Sequence, residues 1–251
     1  MVDGCVDRFD PARVRAVLFD LDGTLLDVDM SRFIPVYLER LAGHFSDLVA
    51  PERFARTMRR LISALLEADD GRLNALVVAE VLEQRLGIEP LVGAVRFRNF
   101  YAQSLAGLQS LVTPLPQAQE LLLTCLERGM QVIIATNPVF PREVVAARLE
   151  WAGIGALPYA LVTALENSHY CKPHPGYFRQ VLAEIGLSAA EVVMVGNDTE
   201  HDLAARKVGI PTFLVDPWLI ERNGPHYSCD WRGDHTQLGI FLETLGTPGK
   251  N

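Results

Sequence analysis

Short apolar stretches recur along the chain, and each gives way abruptly to polar or turn-forming residues. Their apolar residues are continuous rather than alternating, which is typical of strands that are covered on both faces of a sheet. The predicted strands are residues 15–19, 131–135, 160–163, 191–195 and 211–215. The pattern therefore indicates a buried parallel sheet.

Segments with helical spacing separate the later strands, and their length suits crossover connections. They are residues 116–128, 141–151, 175–185 and 202–208. Three of them begin at a proline and all end close to a glycine, which are the residues that usually start and stop helices. This alternation of strand and helix predicts an α/β fold, a doubly wound parallel sheet with a Rossmann-like core.

Residues 28–113 interrupt the alternation, because they show no strand pattern and carry helical spacing instead, as at Leu61, Leu65 and Leu66. The segment is too long for a simple crossover. It predicts an all-helical cap domain inserted after the first strand, with residues 1–27 and 114–251 forming an α/β catalytic core. The topology of the tail after Asp216 is left open.

The charge, cysteine content and hydropathy of the chain bear on its partners and its cellular compartment. Its 251 residues include 31 acidic and 23 basic ones, and the net charge of −8 disfavours nonspecific binding to nucleic acid. The first eight residues lack the pattern of a signal peptide, and no apolar stretch reaches the roughly 20 residues that span a bilayer. Four dispersed cysteines argue against a disulfide framework or a zinc site: Cys5, Cys125, Cys171 and Cys229. We expect a cytoplasmic protein with no membrane or nucleic-acid partner, and its oligomeric state is left open.

Two carboxylates stand at the end of the first predicted strand, where Asp20 and Asp22 are followed by Gly23 and Thr24. Residues two apart on a strand point to the same face, and Gly23 permits a tight turn that exposes backbone amides. Paired acids beside exposed amide donors suit a divalent metal and an anionic group such as phosphate. A plain Asp–Gly turn is the structural alternative. The cost of placing an acid beside a buried strand favours the functional interpretation.

Polar residues also follow the next three predicted strands. Thr136 and Asn137 follow the second strand, Lys172 comes a short distance after the third, and Asp198 and Asp202 follow the fourth. Ligands of open α/β sheets bind outside the carboxyl ends of the strands. We therefore expect these side chains to meet the two carboxylates of the first strand in one crevice.

With these four motifs in this order, the chain resembles the haloacid dehalogenase-like (HAD) hydrolase superfamily, and more narrowly its phosphoglycolate-phosphatase-like subgroup. The resemblance covers residues 13–216 apart from the insertion, which itself resembles the helical cap of that superfamily. It implies a Mg²⁺-dependent phosphatase that hydrolyses a small phosphorylated metabolite through an aspartyl-phosphate intermediate.

The resemblance implies a role for each catalytic residue. Asp20 is the expected nucleophile, and Asp22 is the expected general acid and base. Thr136 is expected to bind the transferring phosphoryl group, and Lys172 to neutralise the oxygens of the nucleophile and the phosphoryl group. The chemistry agrees with these roles, because a carboxylate attacks phosphorus only where the repulsion between negative charges is offset.

The resemblance also implies a metal site and a substrate site. The expected residues of the Mg²⁺ site are Asp20, Asp22 through its backbone carbonyl, Asp198, and Asp202 in support of the metal shell. The expected substrate-binding residues are Gly23, Thr24 and Asn137. The fourth motif departs from the usual Gly-Asp, because Asn197 separates Gly196 from Asp198. We align Asp198 with the metal ligand, since its separation from Asp202 matches part of the family.

Several of these residues have structural alternatives. Thr136 could cap a helix, Lys172 could be a solvated loop residue, and Asp202 could offset a helix dipole. His174 and His201 are expected to be surface or supporting residues rather than metal ligands. The insertion carries three arginines on one helix face, and a solvated face is favoured over recognition of an anionic substrate. These arginines are Arg53, Arg56 and Arg60.

Three functions stay open at this point. A phosphatase is favoured, since dehalogenases of the superfamily need no metal and usually lack an acid at the position of Asp22. A phosphomutase would use the same chemistry but return the phosphoryl group to a sugar, so that inorganic phosphate would not be released in step with substrate loss. A non-enzymatic binding protein would be expected to have lost a motif, and all four are present.

Overall fold

The computed structural model describes residues 9–224 and 227–246. Within those residues a six-stranded parallel sheet has the order β5-β4-β1-β6-β7-β8, and two short strands, β2 and β3, form a separate ribbon. The strands are β1 (Ala16–Phe19), β2 (Leu26–Val28), β3 (Val112–Pro114), β4 (Gln131–Ile134), β5 (Leu161–Val162), β6 (Val192–Gly196), β7 (Thr212–Val215) and β8 (Trp231–Gly233).

Helices cover the sheet and fill the insertion. They are α1 (Met30–Gly43), α2 (Pro51–Glu67), α3 (Asn74–Leu86), α4 (Pro90–Gln103), α5 (Ala118–Glu127), α6 (Arg142–Trp151), α7 (Pro175–Ile185) and α8 (His235–Leu242). The predicted helix at residues 202–208 is a 3₁₀-helix, Leu203–Val208, which ends at Gly209 in the left-handed region. Because this segment is short, a tight helix is the form that suits it.

The doubly wound α/β fold predicted from the sequence is confirmed. All five predicted strands lie in the sheet, and their ends agree to within one residue. The central strand β1 is buried along its whole length between β4 and β6, with Phe19 opposite both Ile134 and Val195. Its continuous apolar sequence follows from this position, because both faces of the strand are covered. The residue after Phe19 therefore emerges at the carboxyl edge of the sheet.

The insertion contains α1 to α4 and a 3₁₀-helix (Leu105–Leu111), and it is joined to the core by the ribbon of β2 and β3. These two strands are antiparallel, with Val28 opposite Val112. The expectation of no strand in residues 28–113 is therefore wrong at both ends of the segment. Strands of three residues are too short to produce a recognisable alternation, so the ribbon left no pattern in the sequence.

The helices of the insertion, which we call the cap, pack against the core. Phe33 and Tyr37 of α1 place their ring centroids 5.9 and 5.3 Å from that of Phe140, at near-perpendicular angles. At the start of α3, the amide nitrogen of Asn74 donates to the carbonyl oxygen of Ser168 at 2.9 Å. The cap is thus fastened to the core on two sides, by apolar contacts and by the backbone.

The tail after Asp216 adds an edge strand and a helix that the sequence left open. Strand β8 pairs in parallel with β7, and α8 follows directly from it. His235, the first residue of α8, places Nε2 2.8 Å from the carbonyl oxygen of Thr24. The tail therefore reaches back to the turn that follows β1.

The described residues contain no helix of the length and apolarity that a membrane crossing requires. Cys125 and Cys171 are buried, Cys229 is partly exposed, and all three are free thiols. Cys5 and the rest of the first eight residues lie outside the described part of the chain.

Candidate active site

The turn after β1 places Asp20 and Asp22 at the carboxyl edge of the sheet. The amide of Asp20 donates to the carbonyl of Val195 at 2.8 Å, which extends the ladder between β1 and β6 by one residue. Gly23 then takes a φ of +83°, and a Cβ at this position would lie 2.2 Å from Nδ2 of Asn197. The turn thus requires glycine at position 23 for two reasons, the positive φ and the space that the Asn197 side chain occupies.

Lys172 lies between two buried carboxylates. Its Nζ donates to Oδ1 of Asp20 at 2.7 Å and to Oδ1 of Asp202 at 2.6 Å, and only 2% of its side chain is exposed. The other oxygen of Asp202 accepts from the amide of Asp198 at 3.0 Å. A Cβ on Gly196 would lie 2.2 Å from that same oxygen, so the close approach of Asp202 depends on this glycine. These contacts join three of the four motifs.

Burial and neighbouring charges act against each other on the pKa values of Asp20, Asp202 and Lys172, and the net shift is upward for all three. Burial raises the pKa of Asp20 to about 7, although the neighbouring Lys172 works against the rise. Burial likewise raises the pKa of Asp202, again against the influence of Lys172. For Lys172, burial favours the neutral amine, but the two carboxylates outweigh it and raise the pKa. The lysine is therefore the cation that stabilises ionised carboxylates in this cavity.

Asn137 holds the segment that carries Lys172. Its Oδ1 accepts from the amide of Lys172 at 2.8 Å, and its Nδ2 donates to the carbonyl oxygen of the same residue at 3.3 Å. The carbonyl oxygen of Thr136 accepts from the hydroxyls of Thr163 and Tyr177, at 2.7 and 3.1 Å. The backbone after β4 is thereby fixed, and the side chain of Thr136 lines the cavity.

The fourth motif folds into a turn around Asp198. Its Oδ1 accepts from the amides of Glu200 and His201, at 3.0 and 2.9 Å, and its Oδ2 accepts from Nε of Arg222 at 2.6 Å. Asn197 lines the same cavity as Asp198, and its side chain donates to the carbonyl oxygen of Trp218 and accepts from the Thr24 hydroxyl. The Asn197 amide therefore also supports the surrounding loops.

Eight of the nine predicted site residues line one cavity of about 680 Å³. They are Asp20, Asp22, Gly23, Thr136, Asn137, Lys172, Asp198 and Asp202. Thr24 does not line it, because its side chain is fully buried and its hydroxyl lies 3.4 Å from Oδ1 of Asn197. Thr24 is predicted to bind substrate, but the structure places its side chain behind the turn, in contact with Asn197 and not with the cavity.

The acidic residues at this edge offer oxygen donors, which are the ligands that Mg²⁺ prefers. Within the part of the chain that the structure describes, no three acidic, histidine or cysteine side chains form a ready-made metal cluster. Within the described residues, both carboxylate oxygens of Asp202 and both of Asp198 already accept hydrogen bonds. The carboxylates of Asp20 and Asp198 and the backbone carbonyl of Asp22 remain the expected Mg²⁺ ligands, a set that suits an ion which uses few protein ligands beside phosphate and water.

Arg148 is a site residue that the sequence analysis missed. It lies on α6 with none of its side chain exposed, and its Nη1 donates to both carboxylate oxygens of Asp22, at 2.7 and 2.6 Å. Its guanidinium carbon lies 4.7 Å from the ring centroid of Phe140. A signal was present, because Arg148 shares the buried face of α6 with Val144 and Leu149, where an arginine needs a buried partner.

Two polar residues of the cavity lining, Trp218 and Arg222, were not predicted as site residues. Both lie in the tail, whose sequence carries no periodicity that would have placed them. His201 was expected to be a surface or supporting residue, and its Nδ1 lies 3.1 Å from Nδ2 of Asn137. Burial lowers the pKa of His201 to about 4.

Comparisons with known proteins agree with this geometry. The family model of haloacid dehalogenase-like hydrolases matches residues 14–209. A ribulose-1,5-bisphosphate 5-phosphatase of Halopiger xanaduensis is 30% identical over 92% of this chain and 96% of its own length. A phosphoglycolate phosphatase of Xanthomonas campestris pv. campestris is 30% identical over 88% of this chain and 90% of its own. The crystal structure of a 2-haloacid dehalogenase from Pseudomonas syringae pv. Tomato has the same fold, with a TM-score of 0.59 and 22% identity over 91% of this chain and 98% of that chain.

Proposed function

The chain belongs to the haloacid dehalogenase-like hydrolases and is a phosphoric monoester hydrolase, and from this premise we propose that it is a Mg²⁺-dependent phosphatase acting through an aspartyl-phosphate. The proposed substrate is a small phosphorylated metabolite. The proposed setting is the cytoplasm, in keeping with the free thiols of the described cysteines.

The observation that carries this proposal is the pairing of Asp20 with Lys172 at the floor of the cavity. Lys172 binds only Oδ1 of Asp20, and within residues 9–224 and 227–246 the Oδ2 atom makes no hydrogen bond. One carboxylate oxygen is thus held and partly neutralised while the other is open to a ligand. A nucleophile needs this arrangement, because it must be oriented and still have a free electron pair.

In the first step Oδ2 of Asp20 attacks the phosphorus atom, and the bond from phosphorus to the ester oxygen breaks. Asp22 supplies the proton that the leaving alcohol requires. Lys172 and Thr136 bind oxygens of the transferring group, which offsets the charge that gathers on it. In the second step Asp22 takes a proton from water, the water oxygen attacks the acyl phosphate, and Asp20 and inorganic phosphate are released.

The metal site proposed for Mg²⁺ consists of Asp20, Asp198 and the backbone carbonyl of Asp22, with Asp202 holding Lys172 and the amide of Asp198 in place. Bound there, Mg²⁺ would supply positive charge that lowers the pKa of Asp20 and offsets its repulsion from the phosphoryl group.

The test is phosphate release from a panel of phosphorylated metabolites and 4-nitrophenyl phosphate, with Mg²⁺ and with a chelator. We expect release that requires the metal and falls by at least about 10³-fold in Asp20→Asn, because the nucleophile is lost. Mass spectrometry of quenched reactions should find a phosphoryl adduct on Asp20. Substrate loss without phosphate release would instead identify a phosphomutase, and a folded protein with neither would contradict the proposal.

A further inference from the structure

The wall of the cavity that faces the catalytic residues is supplied by the cap, and it is almost wholly apolar. The cap residues in this wall are Val28, Asp29, Met30, Ser31, Ile34, Ile62 and Leu66. Five of them are apolar, and the two polar ones bind each other, since Oδ1 of Asp29 accepts from the amide and the hydroxyl of Ser31 at 2.9 and 2.6 Å. The part of a substrate beyond its phosphate would meet this wall.

The cap wall has no cation that could pair with an anionic group of the substrate other than its phosphate. None of its described residues is basic, and hydrogen bonds from Ser31 lower the pKa of Asp29, so that the wall carries one negative charge. The arginines of α2 do not change this picture. They are exposed to solvent, and among the described contacts Arg53 donates to the carbonyl oxygen of Arg85 on the outer surface.

The cations on the core side of the cavity each contact a residue of the catalytic edge. Lys172 is bound by Asp20 and Asp202. Arg222 donates through Nε to Asp198 at 2.6 Å. The ring of His201 contacts the Asn137 amide. Within the described lining, the positive charge therefore lies on the core side, at Lys172 and Arg222, and the cap wall carries none.

A second cavity of about 360 Å³ extends the apolar surface under the cap. Ile62 and Val139 line both cavities, so the second begins where the cap wall of the first ends. Its walls come mainly from apolar side chains of α1 to α4, and its charged residues, Arg98, Glu143 and Glu166, are exposed at the surface. Space for apolar groups thus continues beyond the wall.

We propose that the substrate is a phosphate monoester of an uncharged, largely apolar alcohol, whose hydrocarbon part packs on Ile62 and Leu66 and extends toward the second cavity. This inference rests on the proposed phosphatase function. A substrate with a second anionic group would place that charge beside apolar side chains and the like charge of Asp29, where the cap wall offers no cation. An apolar group gains by leaving water in the same place.

The first experiment compares two substrates that differ only at the end remote from the phosphate. Butyl phosphate and 4-phosphooxybutanoate have the same leaving oxygen and chain length, but the second ends in a carboxylate. We expect kcat/KM to be at least about tenfold higher for butyl phosphate, because the carboxylate meets no cation and one like charge. From ethyl to hexyl phosphate, kcat/KM should rise by up to about fourfold per methylene.

The second experiment places a cation in the wall. In Ile62→Lys, the preference for butyl phosphate over 4-phosphooxybutanoate should fall at least about tenfold, since the new ammonium pairs with the carboxylate. Ala64→Lys is the matched control, because it adds the same charge to the exposed face of the same helix and should leave the preference unchanged. Leu66→Lys provides an independent variant if circular dichroism shows that Ile62→Lys is unfolded.

The outcomes separate this inference from the function on which it rests. Phosphate release with equal rates for the two substrates, or with a preference for the carboxylate, would overturn the apolar substrate class and leave the phosphatase intact. No release from either substrate, from phosphoglycolate or from 4-nitrophenyl phosphate would contradict the phosphatase itself. A change of preference in Ala64→Lys as large as in Ile62→Lys would also overturn the role of the wall.

Discussion

Arg148 carries a full charge in a place where burial disfavours one. Only Nη1 has a hydrogen-bond partner, since Nε and Nη2 are buried and unpartnered among the described residues. An unsatisfied buried donor typically costs about 1–3 kcal/mol. The contact with the face of Phe140 recovers a part of this cost. Because burying Arg148 with unpaired donors is costly, we expect its role to lie in the one ion pair that it forms, where it orients Asp22.

Replacing Arg148 should therefore harm activity more than stability. In Arg148→Met the orphaned donors disappear, and Asp22, whose side chain is 16% exposed, can be solvated from the cavity. We expect Tm to change by less than about 5 °C. We expect kcat to fall by at least about tenfold with little change in KM, because Asp22 loses its fixed orientation as acid and base.

Arg148→Lys is the control for charge alone, because an ammonium cannot reproduce the planar geometry of the guanidinium. It should recover only part of the lost kcat. A large fall in Tm with unchanged kcat in the Met variant would show that Arg148 serves the fold and does not position Asp22.

The two candidate positions of the metal ligand in the fourth motif can be separated by substitution. Asp198→Asn keeps a side-chain oxygen for the amides of Glu200 and His201 but removes the charge. We expect it to weaken Mg²⁺ binding, measured by calorimetry, by at least about tenfold. Asn197→Ala should have the smaller effect, because its amide faces Trp218 and Thr24. The reverse order would move the ligand to Asn197.

Single site residues could be predicted where a charged or polar side chain directly follows a predicted strand. Asp20 and Lys172 are 152 positions apart, yet each follows a strand of the same parallel sheet, so the topology alone brings them together. Thr24 follows the same strand, but the turn buries its side chain against Asn197, a contact that the sequence does not indicate. Arg148 could not be placed on Asp22, since a helix face indicates burial but not which neighbour is met.

Secondary-structure elements were predictable in proportion to their length and burial. Strand β6 is buried at every position and was found to within one residue, whereas β8 exposes part of its surface at the sheet edge and was missed. Helix α8 follows β8 in a tail that shows no clear repeat. The ribbon of β2 and β3 was missed because pairing between distant segments, rather than local pattern, creates it.

A short 3₁₀-helix, Ala189–Glu191, leads into β6 and provides a test at acidic pH. Ser188 donates to Glu191 through its amide and its hydroxyl, which lowers the pKa of Glu191 to about 2, with a smaller contribution from Arg15. A carboxyl with a lowered folded pKa stabilises the fold above its unfolded value of 4.5, and this stabilisation is lost as pH falls toward 2.

Glu191→Gln should therefore unfold at a lower denaturant concentration than the parent protein at pH 7. The difference between the two proteins should shrink as the pH is lowered from about 4.5 to about 2. Glu39→Gln, on the exposed surface of α1, is the matched control and should show no such change. A difference that stays constant over this interval would rule out the hydrogen-bonded carboxylate as its source.

The molecule as a whole divides between a core that carries the proposed catalytic residues and a cap that carries the proposed selectivity. Replacing residues 28–113 by a short loop should leave a foldable core that still cleaves 4-nitrophenyl phosphate but discriminates poorly between substrates. The trimmed core should be less stable than the full chain, because Phe140 loses the rings of Phe33 and Tyr37. Circular dichroism and kcat/KM for butyl phosphate and 4-phosphooxybutanoate would measure both effects. A chain that cannot fold would show that cap and core are a single unit.

The ribbon that joins the two parts has a consequence for how such a protein can diverge. Since Val28 lies opposite Val112, the inserted sequence leaves and re-enters the core at neighbouring points. The nine residues predicted for the site all lie outside that insert. The proposed chemistry and the proposed substrate choice are thus encoded by separate stretches of the gene, and under this proposal recombination at two adjacent points of the folded chain would exchange one substrate preference for another while leaving the reaction unchanged.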